Sequence, residues 1–265
     1  MEHTAHDTLV ATTQSGLAPF DLYRPGSREA LRDALAEAQQ PIVFYAGGTD
    51  LFAAFREGLR PGSLIWLARY LNLDTIAVAD GALRLGAGLT HDKACADPAL
   101  DAVPGLRAAW EKIATVRIRR HATLGGNLMA RRERYELPIL LGALDATAVM
   151  TDGTGTTRIP VADLWDRPAD APPALLEHVE IQLNGAPRLD YARDLRPLMT
   201  QALVRREDGD TIAVATQWVR PWIAPADSPA PLDGLPPGFD TPEASREWII
   251  TAGHALLSRQ RDRLA

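Results

Sequence analysis

The sequence predicts an α+β protein in at least two lobes, and three observations predict it. Helical and strand-like stretches follow one another without the regular alternation of a doubly wound sheet. Two Gly-Gly pairs interrupt the first half, and Pro-rich connections at Asp166 to Pro173 and Pro221 to Pro237 punctuate the second. The 265 residues, 46% of them hydrophobic, suffice for one large core or two modest ones.

Residues 1 to 18 are polar and read as a loose tail. Ser27 is a plausible N-cap, and Ala30, Leu31, Ala34, Leu35 and Ala38 recur at helical spacing, so Arg28 to Gln39 should be an amphipathic helix. After Pro41, the run Ile42 to Ala46 looks like a buried strand. Gly47-Gly48 breaks it, and Thr49 or Asp50 can cap a short helix from Leu51 to Glu57. Leu64 to Leu67 is another strand, and Thr75 to Val78 and Leu83 to Leu85 flank a hairpin turn at Asp80-Gly81.

Helices are expected at His91 to Cys95 and Leu106 to Thr115, the latter with its Trp facing a core. Arg117 to Leu124 leads to the second glycine pair, and Leu137 to Leu144 reads as a buried helix entered through Pro138. Thr147 to Met150 and Thr157 to Pro160 form a hairpin over Asp152 to Gly155. A second unit follows, with strands near His178 to Leu183, Gln201 to Arg206 and Thr211 to Trp218, and a closing helix from Pro242 to Arg263.

The net charge of −6 argues against a nucleic-acid partner, which calls for a basic excess. One cysteine, Cys95, excludes an internal disulfide, a multi-cysteine zinc site and an iron–sulfur cluster held by this chain alone. His91, His121, His178 and His254 lack metal-ligand spacing, so no metal site is expected. The N-terminal stretch lacks the layout of a signal peptide, and no run nears the roughly 18 apolar residues of a membrane span. A cytoplasmic protein without a membrane partner is the expectation.

A strand ending in Gly-Gly before a helix lets a phosphate approach the backbone and meet the free N–H groups of the first turn. Ala46-Gly47-Gly48-Thr49-Asp50-Leu51 has this form, with a Thr hydroxyl beside it. The Asp50 carboxylate would repel a phosphate unless it turns inward. Thr123-Leu124-Gly125-Gly126-Asn127 has the same form, so two turns could clamp both phosphates of one dinucleotide. On spacing alone, an ordinary strand-to-helix turn is an equal reading. Gly86-Ala87-Gly88 starts like a dinucleotide fingerprint, but His91 holds the third glycine position and the Rossmann reading fails. Arg117, Arg119, Arg120, Arg131, Arg132 and Arg134 bracket the second pair, either as anion-binding forks or as a solvated face paired with Glu133 and Glu136.

The two turns, with Ile118 to Leu128 running into Glu136-Leu137-Pro138 and Leu140 to Ala146, resemble the FAD-binding medium subunit of molybdenum hydroxylases, the xanthine dehydrogenase and carbon monoxide dehydrogenase flavoprotein family. The likeness runs from Phe20-Asp21-Leu22-Tyr23-Arg24-Pro25 to about Val149 and includes Leu85 to His91. It implies a two-lobed FAD-binding domain over residues 19–183 with a lobe boundary near 75, then a small α+β C-terminal domain over 184–265. By resemblance, Tyr45, Ala46, Gly47, Gly48, Thr49, Asp50 and Leu51 hold the pyrophosphate with Thr123, Leu124, Gly125, Gly126 and Asn127. Thr90 and Glu136 then fall near the flavin or adenosine parts. The implied partners are a molybdopterin large subunit and an iron–sulfur small subunit, with NAD or oxygen as acceptor. No catalytic acid or base is implied, because the cofactor carries the redox chemistry.

The chain departs from the family pattern in places. Arg131-Arg132-Glu133-Arg134-Tyr135 stands where small residues are usual, Glu136 replaces an aspartate, and Trp66 stands where an aspartate is common. The C-terminal part, from Tyr191-Ala192-Arg193 to Leu235, keeps only a faint likeness. A stand-alone FAD-dependent oxidoreductase on the same fold is therefore a second expectation, and a degenerate scaffold without flavin a third.

Overall fold

The computed structural model describes residues 18–67, 72–168, 171–193, 198–216 and 219–265. The tail expected at 1–18 lies outside them, apart from Ala18. Three sheets organise the described chain; the largest buried cluster joins the second and third sheets, and smaller ones lie on the first sheet and on the other face of the third.

The first sheet is parallel, with β1 (Asp21–Tyr23), β2 (Ile42–Tyr45) and β3 (Ser63–Trp66) in the order β1-β3-β2. Parallel neighbours need crossovers. Helix α1 (Arg28–Glu37) precedes β2, and α2 (Leu51–Arg56) carries the chain from β2 to β3. Ser27 caps α1 as expected, its hydroxyl accepting from the Ala30 N–H at 3.2 Å. The central strand β3 is buried, whereas β2, at the sheet edge and lining a cavity, is half-buried.

The second sheet has five antiparallel strands in the order β4-β5-β8-β6-β7: β4 (Ile76–Ala79), β5 (Ala82–Gly86), β6 (Thr147–Thr151), β7 (Thr156–Pro160) and β8 (Leu175–Gln182). The strand expected near 178–183 is therefore no part of a second unit. It starts earlier, at Leu175, and lies between β5 and β6 in the middle of this sheet. The reason is long-range pairing, which local pattern does not encode. Between β5 and β6 the chain runs through α3 (His91–Ala96), α4 (Leu106–Trp110), α5 (Val116–Arg119), α6 (Leu124–Met129) and α7 (Leu137–Ala143).

Helix α4 stops well short of Thr115. Arg119 donates to the carbonyls of Glu111, Ile113 and Ala114 at 3.0, 3.0 and 3.2 Å, and Ala114 turns left-handed at φ 51°. These carbonyls are satisfied by a guanidinium instead of a further turn. Gly86 and Gly88 pack against the Leu73 backbone, so the apparent fingerprint is a strand end.

The last sheet is antiparallel in the order β12-β11-β10-β9, from β9 (Arg188–Ala192), β10 (Thr200–Arg206), β11 (Gly209–Ala215) and β12 (Trp222–Pro225). The expected strand to Trp218 ends at Ala215, and 217–218 lie outside the described residues. Helix α7, buried along its whole length, touches β10 and β11 on one side and joins the main core on the other. Helix α8 (Arg246–Leu264) covers the opposite face of the sheet, starting later than Pro242 because Ser245 is its cap. Gln260, fully buried on α8, accepts from the Gln201 amide at 2.7 Å and donates to the Asp190 carbonyl at 3.0 Å.

Candidate functional site

A cavity of about 520 Å³ opens at the C-terminal end of β2, where the first sheet meets the second and its helices. That is the size and place expected of a small-molecule site. Tyr45, Ala46, Gly47, Gly48, Thr49, Asp50 and Leu51 line one wall; Thr123, Gly125, Gly126, Asn127 and Glu136 line another. Thr90 and Leu124 are not in the lining. Thr90 caps α3 through the Lys93 N–H at 3.2 Å and bridges to Thr123, and Leu124 is fully buried in the core.

The two glycine motifs touch each other. A Cβ on Gly47 would fall on the backbone carbonyl of His121, so glycine is required for the first loop to reach the second segment. Gly48 follows with φ +72°, the left-handed region. Through this bend, among the described residues, the backbone N–H groups of Gly47, Gly48, Thr49, Asp50 and Leu51 have no protein acceptor. Such a row of free amides at a cavity wall suits an anionic oxygen ligand.

The second motif differs from its expectation. Gly125-Gly126 is not a turn but the first turn of α6, and its amides are bonded within the protein. Leu124 N–H donates to Leu89 O at 2.9 Å, Gly125 to Ala87 O at 2.8 Å, Gly126 to Thr123 Oγ1 at 3.1 Å and Asn127 to Thr123 O at 3.0 Å. Gly125 is needed because a Cβ there would lie 2.9 Å from both Ala87 Cβ and Ala87 O. What this segment leaves toward a ligand is side-chain chemistry: Asn127 is largely buried and its Oδ1 has no partner.

Asp50 does not cap α2, since its side chain makes no capping bond. It accepts from the Tyr135 hydroxyl at 2.9 Å and lies 3.4 Å from Arg132 Nε. Burial and the Asp50 carboxylate push the Tyr135 phenol up to about 12. Arg132 also pairs with Glu57 at 3.0 Å, and Arg131, left-handed at φ 49°, donates to Arg167 O at 3.2 Å. Of the arginines bracketing the second pair, Arg134 reaches the cavity lining, its guanidinium 6.0 Å from the Tyr135 ring centroid.

Sequence reasoning missed Arg193. It stands just beyond β9, lines the cavity and forms an ion pair with Glu136. Burial raises the Glu136 carboxyl above its ordinary range, while Arg193 acts against that rise. The stretch Tyr191-Ala192-Arg193 was the available signal, but nothing local ties it to a residue 57 positions earlier. His91 is also in the lining, fully buried, with Nδ1 accepting from Trp110 Nε1 at 3.1 Å. Burial first, and the Arg119 charge second, lower its imidazole to about 4. It is thus neutral at ordinary pH, and with Nδ1 accepting from Trp110 its Nε2 is left buried without a partner among the described residues.

A sheet-bounded cleft with acceptor-free amides at a glycine bend suits an anionic small-molecule ligand, outside the Rossmann class. The comparisons sharpen that reading. The model of the FAD binding domain in molybdopterin dehydrogenase matches residues 18–181, and the chain belongs to this family. FAD is accordingly its cofactor class.

The chain is 30% identical over 147 residues to the 6-hydroxypseudooxynicotine dehydrogenase complex subunit alpha of Paenarthrobacter nicotinovorans, covering 55% of this chain and 50% of that one. It is 26% identical over 150 residues to the nicotinate dehydrogenase FAD-subunit of Eubacterium barkeri, covering 56% and 51%. The matches thus span about half the length of these curated relatives. Among solved structures, a chain of the reconstituted CO dehydrogenase from Oligotropha carboxidovorans shares the fold at a TM-score of 0.81 and 20% identity, over 94% of this chain and 98% of that one. A chain of quinoline 2-oxidoreductase from Pseudomonas putida 86 does so at 0.76 and 22%, over 92% and 96%. The fold match extends past residue 181, so the C-terminal part that is faint in sequence keeps its neighbours' shape.

Proposed function

We propose that this chain is the FAD-binding, electron-transferring subunit of a molybdenum-hydroxylase-type dehydrogenase. The observation that carries the reading is the run of amides from Gly47 to Leu51, acceptor-free among the described residues and set in the family's fold in the wall of a 520 Å³ cavity. The residues fit the cofactor: Gly47 and Gly48 admit a diphosphate to the backbone, and the Thr49 hydroxyl stands beside them. Asn127 offers an unpartnered buried oxygen to a ligand donor, and the Arg193–Glu136 pair also lines the cavity. The apolar walls Leu67, Leu73, Ile113 and Leu176 exclude water from a ring placed between them.

FAD, when bound, supplies one- and two-electron redox chemistry, and the protein supplies position and electrostatics. In this reading an iron–sulfur partner feeds that flavin, a molybdopterin subunit oxidises substrate, and NAD or oxygen is the acceptor; with Cys95 as its one cysteine, this chain does not hold such a cluster alone. The names of the relatives, dehydrogenase subunits, support this assignment.

Purification without added cofactor tests it. The expected result is a yellow protein releasing FAD, accompanied by molybdopterin and iron–sulfur polypeptides. A colourless chain that takes up no FAD overturns the reading. Substrate-driven reduction of flavin on the isolated chain replaces it with a stand-alone oxidoreductase.

A further inference from the structure

The segment from Arg131 to Tyr135 stands where small residues are usual in the family, and Arg131, Arg132, Tyr135 and the following Glu136 each have a fixed partner. Arg131 is tied to the Arg167 carbonyl, Arg132 to Glu57 and Asp50, Tyr135 to Asp50, and Glu136 to Arg193. The Arg132 and Tyr135 ties hold the segment against the first motif and its helix, while Arg131 and Glu136 fasten its two ends elsewhere. They also answer the electrostatic objection to Asp50, whose carboxylate is engaged by a phenol and flanked by a guanidinium. Among the charged residues of the cavity wall, Asp50, Glu136 and Arg193 have partners of this kind. Arg134, exposed and lining the same cavity, has no carboxylate partner among the described residues. Its recorded contact is the face of the Tyr135 ring, itself held by Asp50. The wall therefore presents one un-neutralised guanidinium together with a row of acceptor-free amides.

We propose that Arg134 is a binding residue for the cofactor's diphosphate, presented to the cavity by the Arg131, Arg132 and Tyr135 anchors. The inference rests on the FAD reading above and names the charge partner that reading needs. A guanidinium fork suits phosphate oxygens, and a charge-assisted bond exceeds what neutral amides supply alone. Diphosphate fits better than a carboxylate, because successive amides from Gly47 to Leu51 offer more donors than one carboxylate can use. At an exposed site the contribution is modest and sensitive to salt.

The test titrates apoprotein of the full chain with FAD, riboflavin and inorganic pyrophosphate, for wild type, Arg134→Gln and Arg134→Lys, at low and high salt. Arg134→Gln should weaken FAD about 10-fold at low salt, the lower end of what one hydrogen bond to a charged group contributes, and less at high salt. Riboflavin, which lacks phosphate, should bind wild type and variant alike, and Arg134→Lys should recover part of the loss. Equal FAD affinity in wild type and Arg134→Gln overturns the proposal. So does an equal loss of FAD and riboflavin, which marks a structural effect. If wild type binds no FAD, the proposed function fails on its own. Pyrophosphate then decides for Arg134: weaker binding to Arg134→Gln upholds the anion site, and equal binding removes it.

Discussion

At Gly47 to Leu51, residues that line a cavity, the backbone amides have no acceptor among the described residues, whereas at Leu124 to Asn127 every amide is already bonded to the chain. Two Gly-Gly pairs that read alike therefore need their glycines for different reasons. In the first, Gly47 lets the loop lie against His121 and Gly48 takes a left-handed bend, leaving donors free. In the second, Gly125 lets α6 lie against Ala87, while the donors serve to fix the helix to the end of β5. One motif keeps its hydrogen-bonding capacity for a ligand; the other uses it to build the wall against which the first is set.

The largest effect that sharpens this contrast is expected from Gly47→Ala. The added methyl meets backbone at His121, which cannot swing away as a side chain could. Overpacking of this kind costs about 3 kcal/mol. Here it also separates the free amides from the second segment. Flavin affinity should fall by more than 10-fold, on the order of the 1.4 kcal/mol that a tenfold change represents, read by flavin fluorescence on protein still folded by circular dichroism. An alanine variant with full affinity would show that the close approach is dispensable.

Acid should act on the second motif. The His91 backbone N–H donates to Ala122 O at 3.1 Å, next to Thr123, and the ring is locked to Trp110. The folded imidazole is held down to about 4, against 6.5 unperturbed, by burial and by Arg119. Below pH 6.5 the unfolded chain takes up a proton that the folded one refuses. Stability is therefore complete above that pH and falls as pH drops toward 4, by about 3 kcal/mol in all. Urea unfolding across this range should show the slope, and His91→Gln should flatten it. An unchanged slope in that variant would place the acid sensitivity elsewhere.

Alkali should act on the first motif, with a smaller effect. The Tyr135–Asp50 bond needs the phenol protonated, and its folded value is pushed up to about 12. An ordinary phenol titrates near 10. The bond's contribution of about 1 kcal/mol is thus complete below pH 10 and is lost as pH rises through 12. Tyr135→Phe should be less stable than wild type at pH 7, and the gap should close between pH 10 and 12. The tyrosinate absorbance of wild type checks the titration directly.

The sequence displayed what is local. Ser27 with the Ala30–Ala34 spacing marked α1, and Asp152 to Gly155 marked the β6–β7 turn, where Asp152 accepts from Thr154 and Gly155 N–H groups at 2.7 and 3.0 Å. The cavity-lining glycines were legible because a backbone that must approach something has few residue choices. What stayed hidden depends on partners distant in sequence. Strand β9 is short, with only Leu189 and Tyr191 turned inward, and β12 lies inside a Pro-rich run. The location of β8 in the second sheet follows from pairing with β5 and β6. Likewise, the arginines around the second pair looked equivalent, but geometry separates them. Arg119 caps α4, Arg131 and Arg132 anchor a segment, and Arg134 meets the cavity.

Gly126→Ala should have the smallest effect, and it tests the contrast from the other side. Gly126 is exposed, and a Cβ there would meet only Thr123 Oγ1, at 3.2 Å. In a helix, alanine is favoured over glycine by about 1 kcal/mol, which offsets a small adjustment of that hydroxyl. Net stability should stay within about 0.5 kcal/mol, as for ordinary surface substitutions. Because the Gly126 N–H is already bonded to Thr123, FAD affinity should change by less than about 3-fold, well under the 1.4 kcal/mol of a tenfold step. Abolished flavin binding in a stably folded Gly126→Ala protein would mean that a ligand must lie directly on this glycine. The second motif would then share the first one's role, and the division of labour between an open loop and a bonded wall would not hold.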